Sequence, residues 1–413
     1  MTATPKGFRL HIGVFGRRNA GKSTLVNLAS GQTVSIVSPT PGTTADPVEK
    51  AMEFPPLGPV VWIDTAGLDD SGELGALRSE KARAVFDRTD LAVIVFCGQW
   101  GEDEQRLADE FAGRGVPAIA VANKTDLDPP GGTPPPSPSR YGVPDATPLV
   151  RMAAGRGEGL EDFRQAVLAA APGERIGSPA ILRDLVPPGS CVVLVTPIDR
   201  EAPKGRLILP QVQAIRDALD GGCRVVVCKE TELAAALSDL RTPPALVVTD
   251  SQAFKAVDAI VPGDVLLTGF SILYARAKGD LSVFARGAAA IDRLRDGDTV
   301  LVAESCTHHR EDDDIGRVKL PALIRKRSGA DVRFAFASGH DFPVDAELGK
   351  IALVLHCGAC MTNRREVLSR LSRADAAGVP VVNYGMAIAH CLDLLERALG
   401  PFPEARKALE LSN

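Results

Sequence analysis

The chain has 413 residues, of which 45% are hydrophobic and only 5% aromatic, and its formal net charge is −5. This length allows roughly two to four domains. The mild acidic charge argues against a nucleic-acid-binding face, which usually shows an excess of basic residues. No stretch approaches the roughly 20 apolar residues of a membrane-spanning helix, and the N-terminal residues lack the apolar region of a signal peptide. The sequence therefore predicts a soluble cytoplasmic protein with no membrane and no nucleic-acid partner.

Residues 8–171 alternate short apolar strands with stretches of helical character. The predicted strands are FRLHIGVFG (8–16), VVWIDTAG (60–67), LAVIVFCG (91–98) and PAIAVANK (117–124). This alternation is typical of an α/β domain with a mostly parallel sheet. Residues 128–148 interrupt the pattern with eight prolines, so we expect an exposed and poorly ordered loop there.

Two smaller α/β sets follow a break at residues 171–180. The strands of the second set are predicted at 191–199, 224–229 and 244–250, and those of the third at 265–269, 298–305, 332–339, 351–358 and 379–385. The two sets look alike in composition, but no repeat can be aligned between them. The second set is too short for a large core, so we expect it to lean on a neighbouring domain or on a second copy of the chain.

A phosphate-binding loop follows the first strand and precedes a helix, which is the structural context that this motif requires. Gly16 and Gly21 would let the backbone curl so that its N–H groups face a β-phosphate. Lys22 would place a positive charge at the β- and γ-phosphates, and Ser23 would offer a hydroxyl to Mg²⁺. The predicted nucleotide contacts of this loop are Gly16, Arg17, Arg18, Asn19, Ala20, Gly21, Lys22, Ser23 and Thr24.

Two later segments supply groups for the metal ion and the γ-phosphate. Asp64, in the sequence Asp64-Thr65-Ala66-Gly67, would hold Mg²⁺ through a water molecule, and the Gly67 N–H would contact the γ-phosphate. Thr44 could reach Mg²⁺ and report the presence of the γ-phosphate. The predicted metal-binding residues at this site are therefore Ser23 and Asp64.

The base pocket is predicted from the sequence Asn123-Lys124-Thr125-Asp126 at the end of a strand. The Asp126 carboxylate can accept two hydrogen bonds from guanine N1 and N2, which adenine cannot donate. Lys124 would pack over the base, and Ala153 and Ala154 would close the pocket through backbone N–H groups. Together, and in this order, the motifs indicate GTP with Mg²⁺. An inactive relative of the same fold is disfavoured because all the contact types are present.

Residue 68 is Leu, so a glutamine that positions water as in Ras cannot act from there. Asn19 offers an alternative, because the domain resembles the TrmE-Era-EngA group of GTPases. Some members of that group use an equivalent asparagine to hold K⁺ where an arginine finger would act. The alternative is that Asn19 has only a structural role, as a turn residue whose side chain accepts a backbone hydrogen bond. The predicted catalytic residues are Lys22, Asn19, Thr44 and Gly67.

The third set contains a constellation of cysteine and histidine in two segments. Cys306, His308 and His309 follow one predicted strand, and His356, Cys357 and Cys360 follow another. Carboxyl ends of parallel strands converge on one edge of a sheet, where sites are built. Thiolates suit an iron–sulfur cluster or a zinc site of three cysteines and one histidine, and buried core cysteines are the third possibility. The remaining five cysteines lie in or beside apolar runs and are interpreted as core residues: Cys97, Cys191, Cys223, Cys228 and Cys391.

A TrmE-like domain, a middle α/β set and this C-terminal cysteine pattern together resemble HydF, the family of GTPase maturation factors of [FeFe]-hydrogenase. The resemblance covers essentially the whole chain. It implies a scaffold that accepts a diiron precursor made with the radical-SAM maturases HydE and HydG and transfers it to apo-[FeFe]-hydrogenase. It also implies a [4Fe–4S] cluster on Cys306, Cys357 and Cys360, with His308 or His356 as further candidate ligands, and a homodimer formed by the middle domain.

The predicted fold class is α/β, with a P-loop GTPase domain followed by two smaller α/β domains with mainly parallel sheets. The predicted boundaries are 1–173 for the GTPase domain, 180–263 for the dimerisation domain and 264–413 for the cluster-binding domain. One alternative is a K⁺-dependent GTPase of tRNA or ribosome maturation with a zinc-binding C-terminal domain. Another is a purely structural zinc protein with a vestigial GTPase domain.

Overall fold

The computed structural model describes residues 5–31, 48–65, 80–127, 141–173, 180–198, 207–305, 314–343 and 345–412. The chain divides into two compact units, Met1–Ser178 and Pro179–Asn413. Both consist of mainly parallel sheets with helices between the strands, so the predicted α/β class is confirmed. The further division of the second unit at residue 263 stays a prediction. Among the described residues, every helix is too short or too polar to cross a lipid bilayer.

The first unit is built on a six-stranded sheet with the strand order β2-β3-β1-β4-β5-β6. Its strands are β1 (Leu10–Phe15), β2 (Val48–Phe54), β3 (Gly58–Asp64), β4 (Leu91–Phe96), β5 (Ala118–Ala122) and β6 (Leu149–Arg151). All neighbouring pairs run parallel except β2 and β3. The carboxyl ends of β1, β3 and β5 therefore lie at the same edge, which brings the predicted nucleotide motifs together.

Helices cover both faces of this sheet. They are α1 (Lys22–Ser30), α2 (Glu80–Arg88), α3 (Glu102–Gly113) and α4 (Leu160–Ala170). Successive side chains of a strand point to opposite faces. Ile12 of β1 accordingly packs with Trp62 and Phe163 on one face, whereas Phe15 packs with Phe111 on the other.

Part of the proline-rich segment is packed rather than exposed. Residues 128–140 lie outside the described part of the chain, but Tyr141 and Val143 are buried against Phe96 of β4. The expectation of an exposed loop over 128–148 is therefore wrong for its second part. The reason is that burial of the two apolar side chains stabilises a packed conformation, although the neighbouring residues are typical of turns.

The second unit contains two four-stranded sheets, in which every described strand pair is parallel. The middle sheet consists of β7 (Cys191–Val195), β8 (Arg224–Cys228), β9 (Leu246–Thr249) and β10 (Leu266–Gly269). The C-terminal sheet consists of β11 (Thr299–Glu304), β12 (Arg333–Ser338), β13 (Leu353–His356) and β14 (Val381–Asn383).

The strand orders are β10-β9-β7-β8 in the middle sheet and β12-β11-β13-β14 in the C-terminal sheet. If the strands of each sheet are numbered 1 to 4 along the chain, both orders are 2-1-3-4, read from opposite edges. The first strand of each sheet therefore lies between the second and the third, and the chain reverses its direction of winding beside it. Such a reversal is where ligands bind in open α/β sheets. The sequence showed no alignable repeat, but both sheets are wound about a central first strand.

One strand belongs to a different sheet from the one predicted. The segment at 265–269 was assigned to the third set, but the structure pairs Leu266–Gly269 with β9 in the middle sheet. A strand this short carries no signal for its partner, because the pairing is set by packing between distant segments.

The helices of the second unit fill the connections between these strands. They are α5 (Leu209–Asp220), α6 (Leu233–Ser238), α7 (Phe254–Asp258), α8 (Phe270–Lys278), α9 (Leu281–Ala289), α10 (Leu320–Ser328), α11 (Asp345–Leu348), α12 (Arg364–Ala376), α13 (Tyr384–Cys391), α14 (Leu395–Ala398) and α15 (Pro403–Glu410). A short π-helix, Ile315–Lys319, precedes α10.

Helix α9 approaches strand β14 so closely that only glycine fits at the crossing. A Cβ atom at Gly287 would lie 1.9 Å from the carbonyl oxygen of Val381. Gly287→Ala should therefore lower the free energy of unfolding by about 3 kcal/mol, because backbone cannot move aside as a side chain can. Urea denaturation of the full chain measures this change. Gly349→Ala is the matched control, since Gly349 is exposed and has open space around it, and equal stability of the two variants would contradict the prediction.

Candidate functional site

The phosphate-binding loop joins β1 to α1 and depends on two glycines. Gly16 has φ +131° and Gly21 has φ +94°, a region that only glycine adopts readily. A Cβ atom at Gly16 would lie 1.9 Å from the Val95 carbonyl oxygen, and one at Gly21 would lie 2.2 Å from the side chain of Asn123. The loop is thus packed against two neighbouring strand ends, and no larger residue fits at either glycine.

Lys22 and Ser23 are the first two residues of α1, directly after the phosphate-binding loop. Lys22 is buried, and its Nζ donates hydrogen bonds to the backbone oxygens of Gly16 at 2.5 Å and Arg17 at 2.9 Å. The Ser23 hydroxyl donates to Asp64 Oδ2 at 2.6 Å. The structure therefore brings together a hydroxyl and a carboxylate from two separate motifs, which is the donor set predicted for Mg²⁺.

Asn123 connects three predicted motifs. Its Nδ2 donates to the Ala20 carbonyl oxygen at 2.8 Å, and its Oδ1 accepts from the Ala154 N–H at 3.0 Å. The phosphate loop and the segment at 153–154 are thereby held by one buried amide side chain. In the structure Asn123 therefore links these two segments to the end of β5.

The predicted base contacts lie around Asp126. Asp126 is an exposed residue whose side chain is 20% accessible, and its Oδ2 lies 3.3 Å from Arg156 Nε. The preceding Lys124 adopts φ +60°, which marks a tight turn after β5. The Ala153 N–H donates to the Glu158 carbonyl oxygen at 3.1 Å, and the Ala154 N–H donates to Asn123. Both N–H groups therefore have acceptors in the protein, and their predicted contact with the base stays a prediction.

Sequence reasoning missed the residue that fixes Arg17. The Arg17 Nε donates to Glu104 Oε1 at 2.6 Å, and its Nη2 donates to the Gln99 carbonyl oxygen at 2.8 Å. The Glu104 side chain is fully buried on α3. No spacing in the sequence links these residues, because they lie 87 positions apart.

The remaining predicted residues of this site differ in burial, and two of them lie outside the described part. Arg18, Asn19 and Thr24 are exposed, and Ala20 is buried. Asn19 has φ +61°, which asparagine tolerates better than most residues. Thr44 and Gly67 lie outside the described residues.

The cysteine pair lies at the reversal of winding in the C-terminal sheet. Strands β11 and β13 are neighbours, with Ala303 opposite His356, so their carboxyl ends are adjacent. Cys357 follows β13 directly, and its Sγ accepts hydrogen bonds from the Ser305 N–H at 3.1 Å and the Ala359 N–H at 3.4 Å. The loop formed by residues 357–360 thus contacts the end of β11, two segments that the sequence places about fifty residues apart.

Cys306, His308 and His309 lie outside the described residues, and Ser305 immediately precedes them. Cys360 is half-buried, and burial raises the pKa of its thiol. In the described ranges, no group of three or more His, Cys, Asp and Glu residues is arranged to hold a metal ion. The interpretation of the other five cysteines as core residues holds for the buried Cys191 and Cys223, but it is wrong for Cys97, which is exposed.

His356 is fully buried behind the cysteine loop. Its Nδ1 lies 2.9 Å from the Cys357 carbonyl oxygen, and its Nε2 lies 3.5 Å from Arg370 Nη1. Burial, and then the nearby Arg370 charge, lower the pKa of His356 to about 4. Both ring nitrogens therefore contact protein groups that hold the loop in place, and the predicted role of His356 as a metal ligand stays a prediction.

Arg370 belongs to a buried ion pair that supports this arrangement. Its Nη2 donates to Glu366 Oε1 and to the Gly339 carbonyl oxygen, each at 2.6 Å. Burial alone would raise the pKa of Glu366, but the hydrogen bond from His340 and the charge of Arg370 lower it to about 2. Glu366 is thus ionised at neutral pH and fixes Arg370 against the histidine.

Comparison with known families assigns the second unit. Residues 282–401 match the Hydrogen maturase F tetramerization domain, and residues 181–279 match the Hydrogen maturase F dimerization domain. Together the two matches span more than half of the chain. The chain belongs to the hydrogen maturase F family.

The first unit of this hydrogen maturase F family member matches a different model. Residues 11–124 match the 50S ribosome-binding GTPase family, so the first unit is a P-loop GTPase domain. The tRNA modification GTPase MnmE of Synechococcus sp. (strain JA-2-3B'a(2-13)) is 36% identical over 160 residues, covering 38% of this chain and 32% of the relative. GTPase Der of Kosmotoga olearia is 35% identical over 125 residues, covering 29% and 28%. The chain thus spans about a third of the length of these curated relatives.

Among solved structures, a single-residue variant of Era from Aquifex aeolicus bound to GDP·AlF₄⁻ aligns with 53% of this chain and 93% of its own chain, with a TM-score of 0.32 and 21% identity. The similarity reported for MnmE and Der extends over the GTPase part. The two hydrogen maturase F matches, over residues 181–279 and 282–401, distinguish this chain from those relatives.

The described residues around the cysteine loop fit an iron–sulfur cluster. Two thiols lie at the loop, and two backbone N–H groups point at Cys357 Sγ, as donors do around thiolate ligands. The hydroxyl of Tyr384 on α13 is buried with no hydrogen-bond partner among the described residues. Burial and the neighbouring Cys357 and Glu304 raise the pKa of Tyr384, so this hydroxyl keeps its proton and can donate a hydrogen bond to a sulfur acceptor. Sequence reasoning missed Tyr384 because nothing local marks it.

Proposed function

We propose that this chain is a GTP-hydrolysing scaffold that holds a [4Fe–4S] cluster, receives a diiron precursor as its cargo and delivers it to apo-[FeFe]-hydrogenase. The observation that carries the proposal is the contact between the end of β11 and the cysteine loop, where the Ser305 N–H donates to Cys357 Sγ at 3.1 Å. Cys306 is the next residue in the chain. Membership in the hydrogen maturase F family supports the same assignment.

Cys306, Cys357 and Cys360 would hold the cluster, with a fourth position for His308, His309, His356 or an exogenous ligand. When bound, the cluster supplies an iron atom at which the cargo can dock and a one-electron redox couple. The chain's own residues hold the site: His356 fixes the Cys357 carbonyl group, and Arg370 and Glu366 fix His356. The radical-SAM maturases HydE and HydG are the proposed sources of the cargo, and the cytoplasm is the expected compartment.

A homodimer through the middle domain is part of the proposal. Strand β8 is at the edge of its sheet, and Val227 on it is 44% exposed. Helix α5 beside it exposes Val212 and Leu219 as well. An edge strand flanked by exposed apolar side chains is a surface that soluble proteins usually cover.

Anaerobic reconstitution tests the proposal. The full chain incubated with ferrous iron and sulfide should bind about four iron and four sulfide per chain and turn brown, with broad absorbance at about 400 nm. Protein loaded with the diiron precursor should then activate apo-[FeFe]-hydrogenase, with hydrogen evolution as the readout. A colourless protein that binds a single zinc ion would overturn the proposal and favour a zinc-binding GTPase of tRNA or ribosome maturation.

Asn19 is proposed to hold K⁺ during GTP hydrolysis. Its side chain is exposed at the phosphate loop, and its backbone lies at φ +61°. Replacing K⁺ by Na⁺ should slow turnover by on the order of 10-fold or more, because a stabilising positive charge leaves the transition state. Asn19→Gly keeps the backbone conformation and removes the side chain, so its turnover should no longer depend on the choice of cation.

Phosphate release from GTP in KCl and in NaCl, at equal ionic strength, measures both effects. Equal rates of the wild-type chain in the two salts would contradict the K⁺ assignment. An Asn19→Gly variant that retains the full preference for K⁺ would place the ion elsewhere.

A further inference from the structure

Lys278 is a buried lysine beside the cysteine loop, although it belongs to the helix that follows the middle sheet. Its residue is 2% exposed, and its Nζ donates a hydrogen bond to the Thr362 carbonyl oxygen at 2.8 Å. Thr362 comes two residues after Cys360, so this hydrogen bond places the Lys278 ammonium next to the segment that carries both thiols. A buried charge interacts strongly with the groups around it, so the role of Lys278 depends on which groups lie next to its ammonium.

The end of helix α8 is held firmly against this loop. Arg364 Nη1 donates to the carbonyl oxygens of Ala277 at 3.2 Å and Gly279 at 3.1 Å, on either side of Lys278. The Thr362 hydroxyl lies 3.3 Å from Ser305 Oγ. Lys278 is therefore fixed beneath the same short loop that carries both cysteines and contacts the end of β11.

Lys278 brings a buried positive charge to the segment that follows the cysteine loop. The Lys278 Nζ is hydrogen-bonded to the carbonyl oxygen of Thr362, two residues beyond Cys360, so its positive charge lies at the end of the segment that carries both thiols. Tyr274, one turn earlier on α8, also lies near Cys360, but burial raises the pKa of its hydroxyl, which stays neutral. A thiolate-bound cluster would place net negative charge beside Lys278.

We propose that the Lys278 ammonium is the fixed counter-charge of the cluster at the cysteine loop and raises its reduction potential. This inference rests on the proposed function. On reduction the cluster takes one electron from an external reductant such as dithionite, and no bond forms or breaks at Lys278. A fixed positive charge stabilises the more negative reduced cluster, so its removal favours the oxidised form.

The alternative is a purely structural role. A lysine in the last turn of a helix stabilises the helix dipole and its terminal carbonyl groups. Lys278→Gln separates the two roles, because the amide keeps an N–H donor for the Thr362 carbonyl oxygen but carries no charge. Lys278→Arg keeps the charge, and Lys255→Gln makes the same change at an exposed position on α7 as a control.

The midpoint potential of the reconstituted full chain, followed by electron paramagnetic resonance during a dye-mediated titration, is the test. Lys278→Gln should shift the equilibrium toward the oxidised cluster by about ten-fold, which is 59 mV for a one-electron couple. Lys278→Arg and Lys255→Gln should keep a potential close to that of the wild-type chain. If Lys278→Gln assembles too little cluster to titrate, wild-type iron content in Lys278→Arg still supports the counter-charge.

An unchanged potential in Lys278→Gln would overturn the inference while leaving the cluster assignment intact. Equal drops in potential for Lys278→Gln and Lys278→Arg would also overturn it, because the geometry of the side chain rather than its charge would then be responsible. A wild-type chain that binds no cluster would instead refute the proposed function, and the inference with it.

Discussion

Lys22→Ala should abolish GTP hydrolysis in the full chain. The Lys22 ammonium is buried at the phosphate loop, where it donates hydrogen bonds to the carbonyl oxygens of Gly16 and Arg17. Alanine removes the charge that would neutralise the β- and γ-phosphates as the γ-phosphoryl group leaves. Loss of one such electrostatic contact lowers turnover by a factor on the order of 10²–10³. Because we expect the wild-type turnover to be slow, the hydrolysis rate of the variant should fall to background.

Release of inorganic phosphate from GTP in the presence of Mg²⁺ and K⁺ measures this effect. Lys6→Ala is the matched control, because Lys6 lies in the same unit and forms a half-exposed ion pair with Glu49, of a kind worth about 0–1 kcal/mol. Circular dichroism confirms that both variants are folded. Full hydrolysis by Lys22→Ala would refute the assignment of the phosphate loop.

The nucleotide site was the part most accessible from the sequence. Gly16, Lys22 and Ser23 lie within one short segment, and the chemistry of phosphate binding dictates their spacing. The sequence assigned Ser23 and Asp64 to the same Mg²⁺ ion, and the structure places the Asp64 Oδ2 at 2.6 Å from the Ser23 hydroxyl. Such contacts are predictable because each motif ends a strand of one parallel sheet, so their meeting point follows from the fold class.

Contacts between helices and distant loops could not be predicted from the sequence. Glu104, which fixes Arg17, and Lys278, which contacts Thr362, reach partners more than 80 residues away. No periodicity or spacing marks them, because burial of a charged side chain is decided by the packing of whole elements. The same reason explains Leu266–Gly269, whose partner strand could not be chosen from its four residues.

The winding of the two smaller sheets could be predicted from the sequence only in part. Each strand of the second unit was recognisable as an apolar run, yet the strand orders became visible only in the structure. The order of the C-terminal sheet explains why the cysteine loop lies where it does, because the loop follows β13, which borders β11. The reversal of winding thus places the end of β11 next to the loop that carries the thiols.

Cys357→Ala should prevent binding of the proposed cluster and leave GTP hydrolysis unchanged. Cys357 Sγ is the sulfur toward which both the Ser305 and Ala359 N–H groups point, so a methyl group there leaves two donors without their acceptor and one iron without its ligand. Iron content after anaerobic reconstitution should fall to background, and absorbance at about 400 nm should disappear. The GTPase domain belongs to the other unit, so phosphate release should stay at the wild-type rate.

Cys391→Ala is the matched control for this loss. Cys391 lies on α13 in the same unit, and burial raises the pKa of its thiol to about 12, so it stays protonated and is a poor ligand. This variant should keep its full iron content.

Cys360→Ala provides a second test should Cys357→Ala fold poorly, since it removes the other thiol of the loop. Wild-type iron content in both loop variants, or an equal loss in Cys391→Ala, would show that the cysteine loop does not hold the metal.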